Sequence, residues 1–369
     1  MVAKRPAALL LRPVSEAMAL ISLALLDEAR LAAARLHDPD DQEALHDFRV
    51  AVRRLRTLLR SFRDDLDDIV SKKLQRRLRE LTRATGAGRD AEVQLAWLKE
   101  HRGELGGRAR PGHAWFIGRL EQRRDASYGD IRRELPGTFR GLDRRLRRAL
   151  SAPLTETQGG RPAFAAAASR LLREHALELE QELDAARTAL DPDAVHAARI
   201  AVKRLRYLLE PLANDTAGPG TGPSGPRAPA LIEQLKQLQD LLGELHDVQV
   251  LGADLGEAVA DAAAERARNL HAAALGGRAR TRARKRHPTP ASAGPLALAK
   301  LVATWQERLH GRLEEWLLTA LPALLRDVRQ LGAALGAQPV ALPIAHAALQ
   351  PRLPSTSVRR STRRPAPAD

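Results

Sequence analysis

The chain has no cysteine among its 369 residues. That excludes disulfide scaffolds, thiolate zinc sites and cysteine nucleophiles, and is compatible with a cytoplasmic setting. Aromatic residues are scarce, at 3%. Proteins that hold single-stranded nucleic acid stack bases on Phe, Tyr or Trp, so this scarcity weighs against base reading. No run of eighteen uncharged apolar residues occurs, and no transmembrane helix is expected. The segment Met1 to Leu26 has a basic start and an apolar run, but Arg12, Pro13 and Glu16 interrupt it. No small-residue cleavage site follows, so it does not read as a targeting signal. A Walker loop, an HExxH string and a nucleophile elbow are all missing. Lysine is rare too: only eight of the sixty basic residues. Arginine abundance can reflect a GC-rich genome, so arginine position carries the argument rather than arginine count.

What is present is positive charge and a repeat. The formal charge is +15, which argues for an anionic partner. Apolar residues make up 44%, enough for a folded core. A fourteen-residue pattern occurs twice, 150 positions apart: HDFRVAVRRLRTLL from His46, and HAARIAVKRLRYLL from His196. Nine of the fourteen positions are identical, which reads as an internal duplication.

In the first copy His46, Arg49, Arg53, Arg56, Arg60 and Arg63 step by three and four, the spacing of one helix face. Leu45, Phe48, Val52, Leu55, Leu59 and Phe62 step the same way one residue earlier. The second copy places His196, Arg199, Lys203 and Arg206 beside Val195, Ala198, Val202, Leu205, Leu209 and Leu212. The apolar row fixes each helix on a core, and the basic row then lies along a groove or rim. Like charges at these spacings repel by ~0.2–0.5 kcal/mol per pair, a cost that a polyanion removes. The alternative is a solvated face on which arginine snorkels over the core edge.

Nearly everything reads as helix. Pro13 to about Leu36 is followed by a turn and cap at 37–41, then a comb helix from about Gln42 to Arg63. Further helices span about Asp67 to Thr85, stopped by Gly86-Ala-Gly88, and Arg89 to His101. After a loop from Gly103 to Gly112 come helices at about His113 to Leu135 and Phe139 to Leu150. The second half repeats the plan: Arg161 to Leu190, a cap at 191–193, the second comb helix to about Leu212, and Ala230 to Leu242, stopped by Gly243. Asp247 to about Leu275 and Leu296 to about Leu331 complete it. Residues 214–229 read as a flexible Gly/Pro loop, 276–295 as a disordered basic loop and 338–369 as a disordered, basic, Pro-rich tail. The fold class expected is all-α: two pseudo-twofold antiparallel helical bundles with a basic groove or pore between or along them.

A second repeated signal lies on the next helix of each half. Arg79 precedes Asp90 by eleven residues and Lys236 precedes Asp247 by eleven; Gly86 and Gly243 precede the same aspartates by four. Arg89 and His246 sit directly before them. Arg76, Arg79 and Arg83 extend the first half's basic row, whereas Glu233 and Asp240 dilute the second's. Asp90 and Asp247 read either as helix caps or as carboxylates that orient arginine or histidine.

The paired His-x-x-Arg-[VI]-Ala-Val-[RK]-Arg-Leu-Arg and Gly-x-x-[RH]-Asp strings resemble the CHAD domain (conserved histidine α-helical domain), over about residues 8–330, with repeats at about 8–150 and 160–330. The resemblance implies two pseudosymmetric bundles around a basic groove that binds inorganic polyphosphate, in the cytoplasm and at polyphosphate granules, with granule proteins as further partners. It places the family's basic motif on His46, Arg49, Arg53, Arg54 and Arg56, and on His196, Arg199, Lys203, Arg204 and Arg206, with Arg79 and Lys236 at the next helix. The ExExK strand signature of a triphosphate-processing partner domain is not in this sequence, so a stand-alone, non-catalytic binder is expected, without cofactor or metal.

The chemistry of the residues points the same way. Guanidinium forks match phosphate oxygens, and charge-assisted hydrogen bonds contribute ~1.5–3 kcal/mol each. The histidines are expected to add charge as pH falls through ~6.5. Two alternatives stand. His37-Asp38, His46-Asp47 and His246-Asp247 resemble the dipeptides of helical metal phosphohydrolases, although His46-Asp47 is matched by His196-Ala197. Basic helices also bind nucleic-acid phosphates, and the 276–295 loop and the tail could do so alone. A membrane partner is not expected, because the basic rows flank core stripes rather than a free apolar face.

Overall fold

The computed structural model describes residues 9–38, 41, 43–66, 69–152, 162–188, 191–215, 227–275 and 293–337. Their regular structure is helical: α1 (Val14–Arg35), α2 (Glu43–Ser61), α3 (Arg63–Leu66), α4 (Lys72–Ala84), α5 (Gly86–Glu100), α6 (Arg110–Leu150), α7 (Phe164–Thr188), α8 (Pro192–Asp215), α9 (Arg227–Leu275), α10 (Ala293–Thr319) and α11 (Leu321–Gly336). Short 3-10 turns lie at Leu9–Leu11, His101–Glu104 and Gly107–Ala109. The all-α expectation holds.

The two comb helices, α2 and α8, form because their apolar rows have somewhere to go. Every member of the α2 row, Leu45 to Phe62, is at most 1% exposed, and every member of the α8 row, Val195 to Leu212, at most 2%. Burying one such Val, Leu or Phe side chain stabilises the fold by ~1.5–3 kcal/mol, so each row outweighs the like-charge repulsion beside it. Asp41 starts α2, its Oδ1 accepting from the backbone N–H groups of Glu43 at 3.1 Å and Ala44 at 3.0 Å. Asp191, 150 positions later, accepts from Asp193 N–H at 3.2 Å ahead of α8. Arg35 bonds Asp41 and Asp47 and thereby ties the end of α1 to the start of α2.

Helix pairings recur in order. α1 packs on α2 as α7 packs on α8, α5 packs on α6 as α9 packs on α10, and α2 and α8 touch each other. The approaches to α1 and α7 pair directly: Pro13 and Ala163 form an antiparallel bridge, Val14 N–H donates to Pro162 O at 2.9 Å, and Phe164 N–H donates to Arg12 O at 2.8 Å. Beside them Phe62 and Phe164 stack with ring centroids 5.5 Å apart.

Several expected breaks are not breaks. Residues 113–150 form one helix through Pro136, because Ile131, Leu135, Phe139, Leu142 and Leu146 keep one continuous buried stripe. Proline removes a single helical donor, and the packing on both sides outweighs that loss. Gly243 likewise lies inside α9, between buried Leu242 and Leu245. Gly86 opens α5 rather than merely ending α4, which starts at Lys72 with Ser71 as its cap. The expected 103–112 loop is largely two 3-10 turns and the first turn of α6. Residues 214–215, 227–229 and 293–295 are helical; the remainder of the expected loops (216–226 and 276–292) and the 338–369 tail lie outside the described residues.

The starts of α6 and α10 cross at two glycines. A Cβ on Gly112 would lie 2.6 Å from the Gly294 carbonyl carbon, and one on Gly294 would lie 2.8 Å from Gly112 N. Backbone cannot yield as a flexible side chain can, so Gly112→Ala is expected to destabilise the protein by about 1–3 kcal/mol through overpacking. Urea denaturation checks this, with Gly118→Ala in open space on the same helix as the control.

Candidate anion site

The site lies where the comb helices meet. Arg53 on α2 donates from Nε to the Tyr207 hydroxyl on α8 at 3.1 Å. Tyr207 is fully buried, with the guanidinium of Arg206 4.9 Å and that of Arg54 5.9 Å from its ring centroid. One side chain thus holds three arginines, two from the first comb and one from the second.

Arg49 and Arg199 occupy matched places in the two halves. Arg49 Nη1 donates to the Thr85 carbonyl and, at 3.2 Å, to Thr85 Oγ1, at the end of α4. It passes beside Gly86, whose Cβ would lie 3.9 Å from Arg49 Nη1 and from Asp90 Oδ2. Arg199 passes beside Gly243, where a Cβ would lie 3.9 Å from Nε and Nη2, and its Nη2 is 3.9 Å from Asp247 Oδ1. A methyl fits at either glycine; a longer side chain would displace the guanidinium. Surrounding protein raises the carboxyl pKa of Asp90 and of Asp247, and the nearby arginines offset part of that rise. Asp90 lies in the field of Arg199, and Asp247 in the field of Asp90, so the two halves meet here.

The rest of the combs divides into occupied and unoccupied cations. Arg54 lies 3.2 Å from Glu210, Arg204 is bonded to Glu178, and Glu178 also lies 3.2 Å from His175 Nδ1. Arg206 lies 3.7 Å from Glu210. Arg89 bonds Glu92 at 2.6 Å, and Arg76 pairs with Glu80 on its own helix at 3.5 Å. Among the described residues, Arg53, Arg56, Arg60, Arg79 and Lys203 have no carboxylate in ion-pair range. Arg56 lies close to Arg60, Arg79, Arg204 and Arg53; burial first, and then these cations, lower its pKa. Burial, then Arg199 and Arg53, push Lys203 down to about 6, so at neutral pH its amine is largely uncharged. Arg83 and Lys236 are exposed on α4 and α9, with no ion pair among the described residues.

The histidines correct an expectation. Burial lowers the pKa of His46 and of His196, helped by Arg89 and Arg53 at His46 and by Arg199 and Lys203 at His196. His246 is pushed down to about 4 by burial, Arg199 and His196. The His196 and His246 rings lie 4.9 Å apart, and His246 Nδ1 is buried without a hydrogen-bond partner among the described residues. Burial first, and then the neighbouring cations, disfavour a proton on all three rings, so their charging is shifted below the ordinary imidazole range. Among the described residues no group of three or more His, Asp or Glu is placed to hold a metal ion.

Four residues of the site escape a motif reading. Thr57 is the counterpart of Tyr207, so repetition gives Tyr207 no weight. Thr85 acts mainly through its backbone, and Glu210 lies one residue beyond the repeated string. Only Glu178 carries a usable signal: it follows Glu28 by 150 positions, and Arg204 follows Arg54 by the same interval.

Residues 22–256 match the family model for the CHAD domain. Among solved structures, the CHAD domain from the plant Ricinus communis superposes with a TM-score of 0.55 at 22% identity, covering 92% of this chain and 97% of that one. PptA from Streptomyces chartreusis superposes with a TM-score of 0.55 at 19% identity, covering 86% and 99%. At these identities what is shared is the fold. No curated protein matches the chain. No described helix is long and apolar enough to cross a membrane.

Lys203 makes stability depend on pH. In the folded chain its pKa is about 6, against 10.5 ordinarily. Between those values the unfolded chain binds a proton that the folded chain does not, so stability rises with pH through this window and is lost as pH falls toward 6. Lys203→Met removes this cost and is expected to raise stability at pH 7 by about 1–3 kcal/mol, because each pKa unit is worth ~1.4 kcal/mol and solvent reaches part of the side chain. Denaturant titrations of both proteins from pH 6 to 10 check it: the difference should shrink as pH rises.

Proposed function

The chain belongs to the CHAD domain family, and on that premise we propose that it binds inorganic polyphosphate, without turning it over, through the meeting point of its two comb helices. The observation that carries this reading is the set Arg53, Arg56, Arg60 and Arg79, arginines that among the described residues have no carboxylate of their own in ion-pair range, with the Lys203 amine of the second half beside them. Their mutual repulsion is a cost in the free protein that a row of phosphates relieves. Guanidinium forks and a lysine suit repeated phosphate oxygens. Tyr207 is buried and offers no ring for a base to stack on, which favours a ligand without bases over nucleic acid. The matched arginine–glycine–aspartate sets on both sides suit an extended ligand better than a single phosphate. Association with polyphosphate granules and their proteins follows as part of the same reading.

Calorimetric titration with long-chain polyphosphate tests it. The double variant Arg56→Ala/Arg79→Ala is expected to weaken binding by about 10- to 100-fold, since each charge-assisted contact contributes ~1.5–3 kcal/mol. Arg326→Ala on α11 is expected to leave binding unchanged, and double-stranded DNA at equal charge should not displace the ligand. Equal weakening by both changes, or equal competition by DNA, would reduce the site to a general cation patch. Binding is also expected to take up a proton at Lys203, because phosphate raises the pKa of a neighbouring amine. Affinity should therefore fall as pH rises above about 6, and the heat at pH 7–8 should vary with the ionisation enthalpy of the buffer.

A further inference from the structure

The two ends of the seam between α2 and α8 differ in charge. Positions 150 apart take related places: Arg54 lies 3.9 Å from Glu28, and Arg204 is bonded to Glu178. At the Arg204 end the first comb supplies Arg56 and Arg60. Arg56 lies in the fields of Arg60, Arg79 and Arg204, and Arg60 acts on Glu178. At the Arg54 end the second comb supplies Arg206 and Glu210, and Glu210 stands 150 positions after Arg60. Its carboxylate lies 3.2 Å from Arg54 Nε and 3.7 Å from Arg206 Nη1. Among the described residues the first end therefore sets Arg56, Arg60, Arg79 and Arg204 against Glu178, while the second sets Arg54 and Arg206 against Glu28 and Glu210, with Lys236, the counterpart of Arg79, exposed on α9.

We propose that the seam is one-ended: a polyanion runs from the centre of the site outward past Arg56 and Arg60, and Glu210 stops it at the opposite end by occupying Arg54 and Arg206. This rests on the polyphosphate reading and adds a direction and a stop to it. A carboxylate already seated on a guanidinium must be displaced before a phosphate can use that fork, and it repels the phosphate meanwhile. Arg206 also lies over Tyr207, so at the closed end both guanidinium charges already face a carboxylate or a ring. The open end does not: Arg60 and Arg79 are exposed and without a carboxylate partner among the described residues.

The test compares wild type with Glu210→Gln, Arg60→Glu and the charge swap Arg60→Glu/Glu210→Arg. Long-chain polyphosphate is titrated into each at several salt concentrations, reading Kd, salt slope and phosphate units bound per protein. Glu210→Gln is expected to bind about tenfold tighter at low salt, with a slope steeper by about one to two charges and more phosphate units covered. Arg60→Glu is expected to lose about tenfold or more, and the swap to regain most of that loss, because it only reverses the direction of the open end. Thermal melts confirm that each variant is folded; glutamine keeps the shape of glutamate, and Arg60 is exposed. Wild-type Kd, slope and coverage in Glu210→Gln, or a swap as weak as Arg60→Glu, would overturn the one-ended seam while leaving polyphosphate binding intact. A wild type that ignores polyphosphate overturns both.

Discussion

Repulsion between two rows of like charge, pressed together by their own apolar edges, governs this molecule. The rows cannot separate, because Leu45 to Phe62 and Val195 to Leu212 are anchored in the core on the same helices that carry the cations. Three responses follow. Some arginines take carboxylate partners: Arg54 with Glu210 and Glu28, Arg204 with Glu178. Some donate to neutral oxygens, Arg49 to Thr85 and Arg53 to Tyr207, which orients them without cancelling their charge. Lys203 relieves the strain by holding its amine largely neutral. What none of these absorbs remains as field, and that residue is what an anion meets.

The sequence makes the helical character, the two combs and their apolar rows legible because each depends on periodicity alone. The glycine-aspartate spacing is legible too, but read as helix stops the glycines do not reveal that Gly86 lies beside Arg49 and Gly243 beside Arg199. Helix continuity is not legible. Pro136 and Gly243 are local breakers, and the buried leucines around them overrule the local preference from a distance that a sequence window does not see. The partners of the arginines are hidden for another reason. Repetition highlights what the halves share, whereas Tyr207 and Glu210 matter because Thr57 and Arg60 stand in their places in the first half. Histidine charge is not legible either, because an ordinary imidazole pKa presumes solvent, and these rings are partly buried and sit among cations.

Symmetry and function pull in different directions here. The related pairs Arg54–Glu28 and Arg204–Glu178, the caps Asp41 and Asp191, and the arginine–glycine–aspartate sets preserve a common frame. The departures concentrate on the faces that look into the seam, where a cation in one half faces an aromatic or an acid in the other. A frame kept by the core can tolerate such departures, because positions that differ within the apolar rows, such as Phe48 and Ala198, stay apolar and buried.

The bridge between Pro13 and Ala163 bears on how the chain assembles. The strand-like approach to α1 pairs with the approach to α7, about 150 residues further on, and Phe62 of the first half stacks on Phe164 of the second. Contacts of such high sequence separation form late and slow the search, because a long loop must close before they yield any gain. The first half emerging alone would carry an unpaired edge and a half-covered Phe62. The two halves are accordingly one cooperative folding unit rather than two beads on a string, and a cut between them should yield fragments that need each other to become native.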